Sequence, residues 1–188
     1  MVPIEYEGAE GKIKINLLDT PGYFDFVGEV EEAVSAADAA IIVVNCKAGI
    51  EVGTEKAWDL CEEYKLPRII FVTNMDDDHA SFRELILKLE KKFGRKIAPF
   101  QVPIRENEKF VGFVNAVKMQ GRRFTNLSDY EDCEIPEYTK KNLGIIRDAL
   151  IEAVAETSEE YMERYFSGEE FTQDEIYTAV QTLSLIHI

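Results

Sequence analysis

Two hydrophobic periods alternate along the first hundred residues, and the switches between them mark the elements. Ile13 to Leu18 is a short run rich in Ile and Leu, a strand candidate. Phe24 to Ala37 places Val27, Val30, Val34 and Ala37 on one helical face, with Glu29, Glu31 and Glu32 elsewhere. Ala39 to Asn45 is continuously apolar, the pattern of a strand buried on both faces. After a loop with Gly49 and Gly53, Thr54 can cap a helix reaching about Tyr64, with Ala57, Leu60, Cys61 and Tyr64 inward. Pro67 marks a boundary, and Arg68 to Thr73 is a third strand. Ser81 and Glu84 fit a capping box for a helix through Lys92, closed by Gly94. Lys96 to Val102 fits a fourth strand.

Strands alternating with helices at this spacing imply parallel pairing through right-handed crossovers, hence an α/β layered sheet. Ligands of such sheets sit at the carboxyl ends of the strands. Three polar clusters fall there: Asp19-Thr20-Pro21-Gly22, Asn45-Cys46-Lys47 and Thr73-Asn74-Met75-Asp76. Beyond residue 103 the character changes. Phe110 to Lys118 and Gly121 to Phe124 pattern as a β-hairpin. Leu143 to Phe166 patterns as one long acidic helix marked by Ile146, Leu150, Val154, Tyr161 and Tyr165. Thr172 and Glu175 form a capping box for a final helix. The expected organisation is an α/β layer over 1–102, an inserted acidic α+β subdomain over 103–182, and a tail over 183–188 that lacks helical periodicity.

Composition narrows the class. A chain of 188 residues, 46% hydrophobic and 30% charged, is of globular type. Its longest apolar run, Ala39 to Val44, is too short to span a bilayer. The start shows no basic region followed by an apolar stretch, so no signal peptide is expected. Cys46, Cys61 and Cys133 are widely spaced, which speaks for reduced thiols rather than a disulfide framework or a zinc site. The net charge is −15, and Thr125 to Val180 alone holds 15 acidic and four basic residues. Such a surface repels a nucleic-acid backbone and favours basic partners, or keeps a helical surface soluble.

Candidate chemistry centres on the turns after the strands. An aspartate ending an apolar run, followed by Thr-Pro-Gly, delivers a carboxylate and then a free backbone amide. Asp19 would hold a Mg²⁺ through water and the Gly22 amide would bond a γ-phosphate; a turn or capping aspartate is the alternative. Loss of that phosphate would release the turn, as in a nucleotide switch. Thr73-Asn74-Met75-Asp76 stands where a base-reading loop would, and a carboxylate there can accept the two N–H donors of a guanine edge. The alternative is a polar loop with a capping run, Asp76-Asp77-Asp78. Tyr23, next to the turn, could orient an attacking water or pack on Phe24 or Phe26.

These residues together resemble the G domain of translational GTPases, specifically the elongation factor G family and its elongation factor G-like paralogues. The resemblance runs through Ile15-Asn16-Leu17-Leu18-Asp19-Thr20-Pro21-Gly22, Asp25-Phe26-Val27-Gly28-Glu29-Val30 and Ala36-Ala37-Asp38-Ala39-Ala40. It continues through Pro67-Arg68-Ile69-Ile70-Phe71-Val72 and Met75-Asp76 to Ala80-Ser81-Phe82. It implies a P-loop GTPase-type α/β domain with an inserted subdomain, GTP and Mg²⁺ as ligands, and action in elongation as a cytoplasmic monomer. Its implied partners are the ribosome, through rRNA and stalk proteins, with neither DNA nor membrane. Asp19, Thr20, Pro21, Gly22, Thr73, Asn74 and Asp76 would then bind GTP. Tyr23 would hold the water-positioning place, where the family's fast members carry histidine. The family's N-K-x-D is here Thr73-Asn74-Met75-Asp76; a register from Asn74 to Asp77 is the less fitting alternative. No glycine-rich phosphate loop is present: Gly11-Lys12 is followed by Ile13, with Tyr6 where glycine is needed. The chain therefore reads as the middle of a G domain, expected to bind nucleotide weakly, to hydrolyse none by itself and to expose a central sheet edge. A nucleotide-independent ribosome- or protein-binding module and a tetracycline-type ribosomal protection protein are the alternatives.

Overall fold

The structure is a computed structural model that describes the chain outside residues 9–10, 78, 95–96, 98, 108, 127–128 and 183–188. It begins with an antiparallel pair, β1 (Val2–Gly8) and β2 (Gly11–Leu17), in register from Val2 opposite Leu17 to Gly8 opposite Gly11. A 3₁₀ turn over Phe24–Phe26 leads into α1 (Val27–Ala36). Then β3 (Ala40–Asn45), α2 (Val52–Glu63), β4 (Arg68–Thr73) and α3 (Phe82–Phe93) follow. Strands β3 and β4 pair in parallel, Ala40 opposite Arg68 and Asn45 opposite Thr73, as two strands joined through a crossover helix do.

The second half carries an antiparallel meander of β5 (Gln101–Glu106), β6 (Lys109–Asn115), β7 (Gln120–Phe124) and β8 (Tyr130–Cys133). Helices α4 (Glu137–Ala155), α5 (Glu159–Ser167) and α6 (Gln173–Thr182) complete it. Three apolar clusters hold these parts. The first joins Ile42 and Val44 of β3 and Ile70 of β4 to Trp58 and Cys61 of α2 and Leu85 and Leu89 of α3. The second gathers Val117, Leu150, Val154, Phe171 and Ile176; the third seats Leu143 of α4 on Val102, Ile104 and Val114 of the meander. In the first cluster Arg68, only 2% exposed, stacks over Trp58 at 3.8 Å and pairs with Glu62. Trp58 in turn stacks on Phe93 at 4.1 Å, which locks α2, α3 and β4 together.

The structure corrects five expectations. The strand at Ile13 to Leu18 forms, but its partner is β1 in an antiparallel pair, because Val2–Gly8 is itself a strand. The apolar run at Ala39 to Asn45 buries one face only: Ile42 and Val44 are buried while Ile41 and Val43 are 56% and 60% exposed. Thr54 is the third helical residue of α2 rather than its cap; Glu51 caps, and the two exchange side-chain to backbone bonds. The fourth strand, expected over Lys96 to Val102, starts at Gln101 and pairs with β6 in the antiparallel meander, leaving two strands in the parallel sheet among the described residues. Residues 96 and 98 lie outside the described residues. The long acidic helix is two: the first ends at Ala155 with Glu156 as its C-cap, and Ser158 caps the second, its Oγ accepting the Tyr161 amide at 3.1 Å. The capping box at Thr172 forms as expected, with the Thr172 amide donating to Glu175 Oε2 at 2.8 Å and the Glu175 amide to Thr172 Oγ1, while at Ser81 the side chain caps by accepting the Glu84 amide. The tail expected over 183–188 lies outside the described residues.

Candidate functional site

The carboxyl ends of β3 and β4 stand side by side, and polar side chains tie the turns that leave them. Asn45 Oδ1 accepts the backbone amides of Lys47 at 2.9 Å and Ala48 at 3.0 Å, folding the first turn back on itself. Its Nδ2 donates to Asn74 Oδ1 at 3.0 Å, and the Cys46 amide donates to the Thr73 carbonyl at 3.0 Å. Asn74 adopts a left-handed backbone with φ of 55°, a conformation that asparagine tolerates better than most residues. Lys47 Nζ reaches Asp77 Oδ2 at 3.2 Å, and Asp77 Oδ1 accepts the His79 amide at 2.9 Å. The His79 amide, and then the Lys47 ammonium, hold the Asp77 carboxyl below its ordinary range.

Asp76 differs from its neighbour. Met75 before it is buried and Asp77 after it is committed, whereas Asp76 is exposed and forms no hydrogen bond or ion pair with a described residue. Its carboxylate is therefore an acceptor without a partner among the described residues, whereas that of Asp77 is engaged. Beneath the loop lies Arg105, which sequence reasoning misses because a single arginine in a strand carries no motif. Its guanidinium donates to the carbonyls of Ala80 at 2.7 Å, Asp77 at 3.2 Å and Met75. It also faces the Cys46 thiol: burial pushes that thiol up, and the nearby Arg105 charge opposes the shift.

The turn at residues 19–22 stands apart from this arrangement. It leaves β2, whose only strand partner among the described residues is β1, so two of the three expected clusters meet and the third ends a separate sheet. Asp19, Thr20 and Gly22 are exposed or nearly so, and Pro21 is half-buried. A Cβ on Gly22 would meet no atom within 4 Å, so nothing in the chain's own packing demands glycine there. Tyr23 is 80% exposed with an extended backbone, and its carbonyl accepts the Phe26 amide at 3.1 Å, starting the 3₁₀ turn. A cleft of about 440 Å³ lies between α3, β5 and α4, and Ala80, Ser81 and the loop-binding Arg105 are among its lining. Its lining is mostly apolar, with Phe82, Ile86, Val102 and Ile146 among it.

The family model of the elongation factor Tu GTP binding domain matches residues 3–181. The chain belongs to this family. It is 37% identical over 163 residues to an elongation factor G-like protein of Thermotoga maritima, a match that covers 87% of the chain and 23% of the relative. A crystal structure of a Thermus thermophilus protein superposes with a TM-score of 0.84 at 32% identity, over 98% of the chain and 28% of that protein. The chain thus spans about a quarter of the length of these relatives. Membership makes this a GTP-binding domain of the translation-factor type, with the mixed α/β architecture and parallel strand pair described above. No described helix is long and apolar enough to cross a membrane.

Proposed function

We propose that this domain reads guanine nucleotides through Asp76 and the γ-phosphate through the turn at Asp19 to Gly22, within a translation GTPase that acts on the ribosome. The observation that carries the reading is the Asp76 carboxylate after the end of β4, which has no partner among the described residues, beside an Asp77 whose two oxygens are both engaged. Thr73 and Asn74 complete the base-side wall. Gly22 supports the other half: its amide can approach a phosphate with no side chain in the way. No group of three or more His, Cys, Asp or Glu among the described residues could enclose a metal. One exposed carboxylate, Asp19, nevertheless suits Mg²⁺, which keeps its waters and takes further ligands from phosphates. Bound there, Mg²⁺ would neutralise phosphate charge. Tyr23 would orient water through its hydroxyl, as a hydrogen-bond partner rather than a general base. The domain thus works as a switch more than as a fast hydrolase, in a monomer in the cytoplasm. The proposed extent of the GTP-binding layer is 1–102, with 103–182 as an inserted subdomain.

Exchanging the base-reading acceptor for a donor tests this. In a protein of its relatives' full length carrying this chain, Asp76→Asn should weaken GTP binding by ~10–100-fold, the worth of a hydrogen bond to a charged group. Binding of xanthosine triphosphate, whose base offers an acceptor at that edge, should improve. Unchanged GTP affinity in the variant would discard the role given to Asp76.

A further inference from the structure

Asp76 is flanked on both sides by carbonyls that one side chain holds. Arg105 donates from Nη2 to the carbonyl of Met75, immediately before Asp76, and to that of Asp77, immediately after it. A third bond, to Ala80 at 2.7 Å, closes the far end of the same loop. Arg105 belongs to β5, in the antiparallel meander and not in the sheet that bears the loop. Its aim follows from strand alternation: Ile104 packs in the third apolar cluster, so Arg105, the next residue of β5, points to the opposite face. Across the ladder Arg105 pairs with Phe110, which packs against the first apolar cluster, while the extra residue of the pairing, Val111, belongs to β6 and stays on the third.

A guanidinium suits this task. Its planar fork keeps several donors in fixed directions and its charge survives partial burial, while a lysine ammonium on a flexible stem cannot bridge three separate carbonyls in the same way. We infer that Arg105 is a positioning residue for base recognition, fixing the backbone on either side of Asp76 so that nucleotide selectivity depends on a residue of the second sheet. The inference rests on the reading of Asp76 as the base-edge acceptor. It adds that the meander and the base loop are mechanically one unit at this point: displacement of β5 withdraws the support of Asp76.

The test compares guanosine and inosine diphosphates, because inosine lacks the 2-amino group that an Asp76 carboxylate would accept. Both affinities are measured by calorimetry in a protein of the relatives' full length carrying this chain, and in its Arg105→Met and Arg105→Lys variants. The unsubstituted protein should prefer GDP over IDP by ~10-fold or more. Arg105→Met should bring that ratio down at least fivefold toward one, GDP losing more than IDP, and Arg105→Lys should restore part of it. Hydrogen exchange adds a readout independent of nucleotide: in Arg105→Met the amides of Asp77 and Ala80 should exchange at least tenfold faster, with those of β3 and β4 still protected. A ratio unchanged in Arg105→Met, or a parallel loss for both nucleotides, overturns the inference while leaving the role of Asp76 standing. An unsubstituted protein without preference between GDP and IDP overturns the role of Asp76 and this inference with it. Should Arg105→Met not fold, an Arg105→Lys protein with the full original ratio overturns the inference equally.

Discussion

Gly22 and Gly112 are glycines for opposite reasons. A Cβ on Gly112 would lie 2.1 Å from the Arg122 carbonyl oxygen and 2.9 Å from Arg123 Cα, inside the backbone of the neighbouring strand. Gly112→Ala should therefore cost about 2–4 kcal/mol in denaturant melts, through overpacking that backbone cannot relieve. Gly22 has open space, so Gly22→Ala should leave the melt within about 0.5 kcal/mol. Its effect should appear instead as weaker binding of the triphosphate relative to the diphosphate. A titration belongs to this scale too. Arg164 first, and then the amide and hydroxyl of Thr172, hold Glu175 down to about 2. A carboxyl depressed on folding stabilises above its unfolded value, and that stability is lost as pH falls through the folded one. Thermal stability should thus decline between about pH 4.5 and pH 2, and Glu175→Gln should flatten that part of the profile.

Among elements, the turns and caps explain where periodicity succeeds and where it misleads. Ser81 and Thr172 announce helices because the cap and its partner three residues on lie within one local stretch of chain. The break between α4 and α5 escapes a periodicity argument because Ile146, Leu150, Val154 and Tyr161 stay near helical spacing straight across it. Only the Ser158 hydroxyl, accepting the Tyr161 amide at 3.1 Å, reveals a new start. Ser158→Ala should cost about 1 kcal/mol in thermal or denaturant unfolding, the typical worth of a cap. The strand at Gln101–Glu106 has a similar explanation. Its apolar content is visible in the chain, but its partner is not, because an apolar run does not state which sheet it joins.

For the whole molecule, the decisive feature is an uncovered face. Ile41, Val43 and Phe71 project from the parallel pair at 56%, 60% and 56% exposure, and β3 is hydrogen-bonded on one edge only among the described residues. Ile13, Ile15 and Leu17 of β2 are exposed as well. A contiguous apolar face beside an open strand edge favours self-association. The chain by itself should scatter light increasingly above micromolar concentration and bind the dye ANS. Val43→Lys should reduce both signals without lowering the melting temperature, since Val43 contributes little buried area here. A chain that stays monomeric and dye-silent at high concentration would remove this expectation.

Local elements are written in the chain itself: strands where β-branched residues run together, helices where caps and 3.6-residue spacing agree, and the identity of Asp76 and the Asp19 to Gly22 turn as candidate chemistry. These are short-range properties, set by backbone sterics, capping and side-chain type within a few residues. Folding in three dimensions adds that β2 pairs with β1, that one face of β3 is exposed, and that Asp77 is committed while Asp76 has no partner among the described residues. It also brings Arg105 under the loop, 25 to 30 residues away along the chain from the carbonyls it binds. Such assignments depend on which distant groups compete for one partner, and that competition is settled by packing rather than by local pattern.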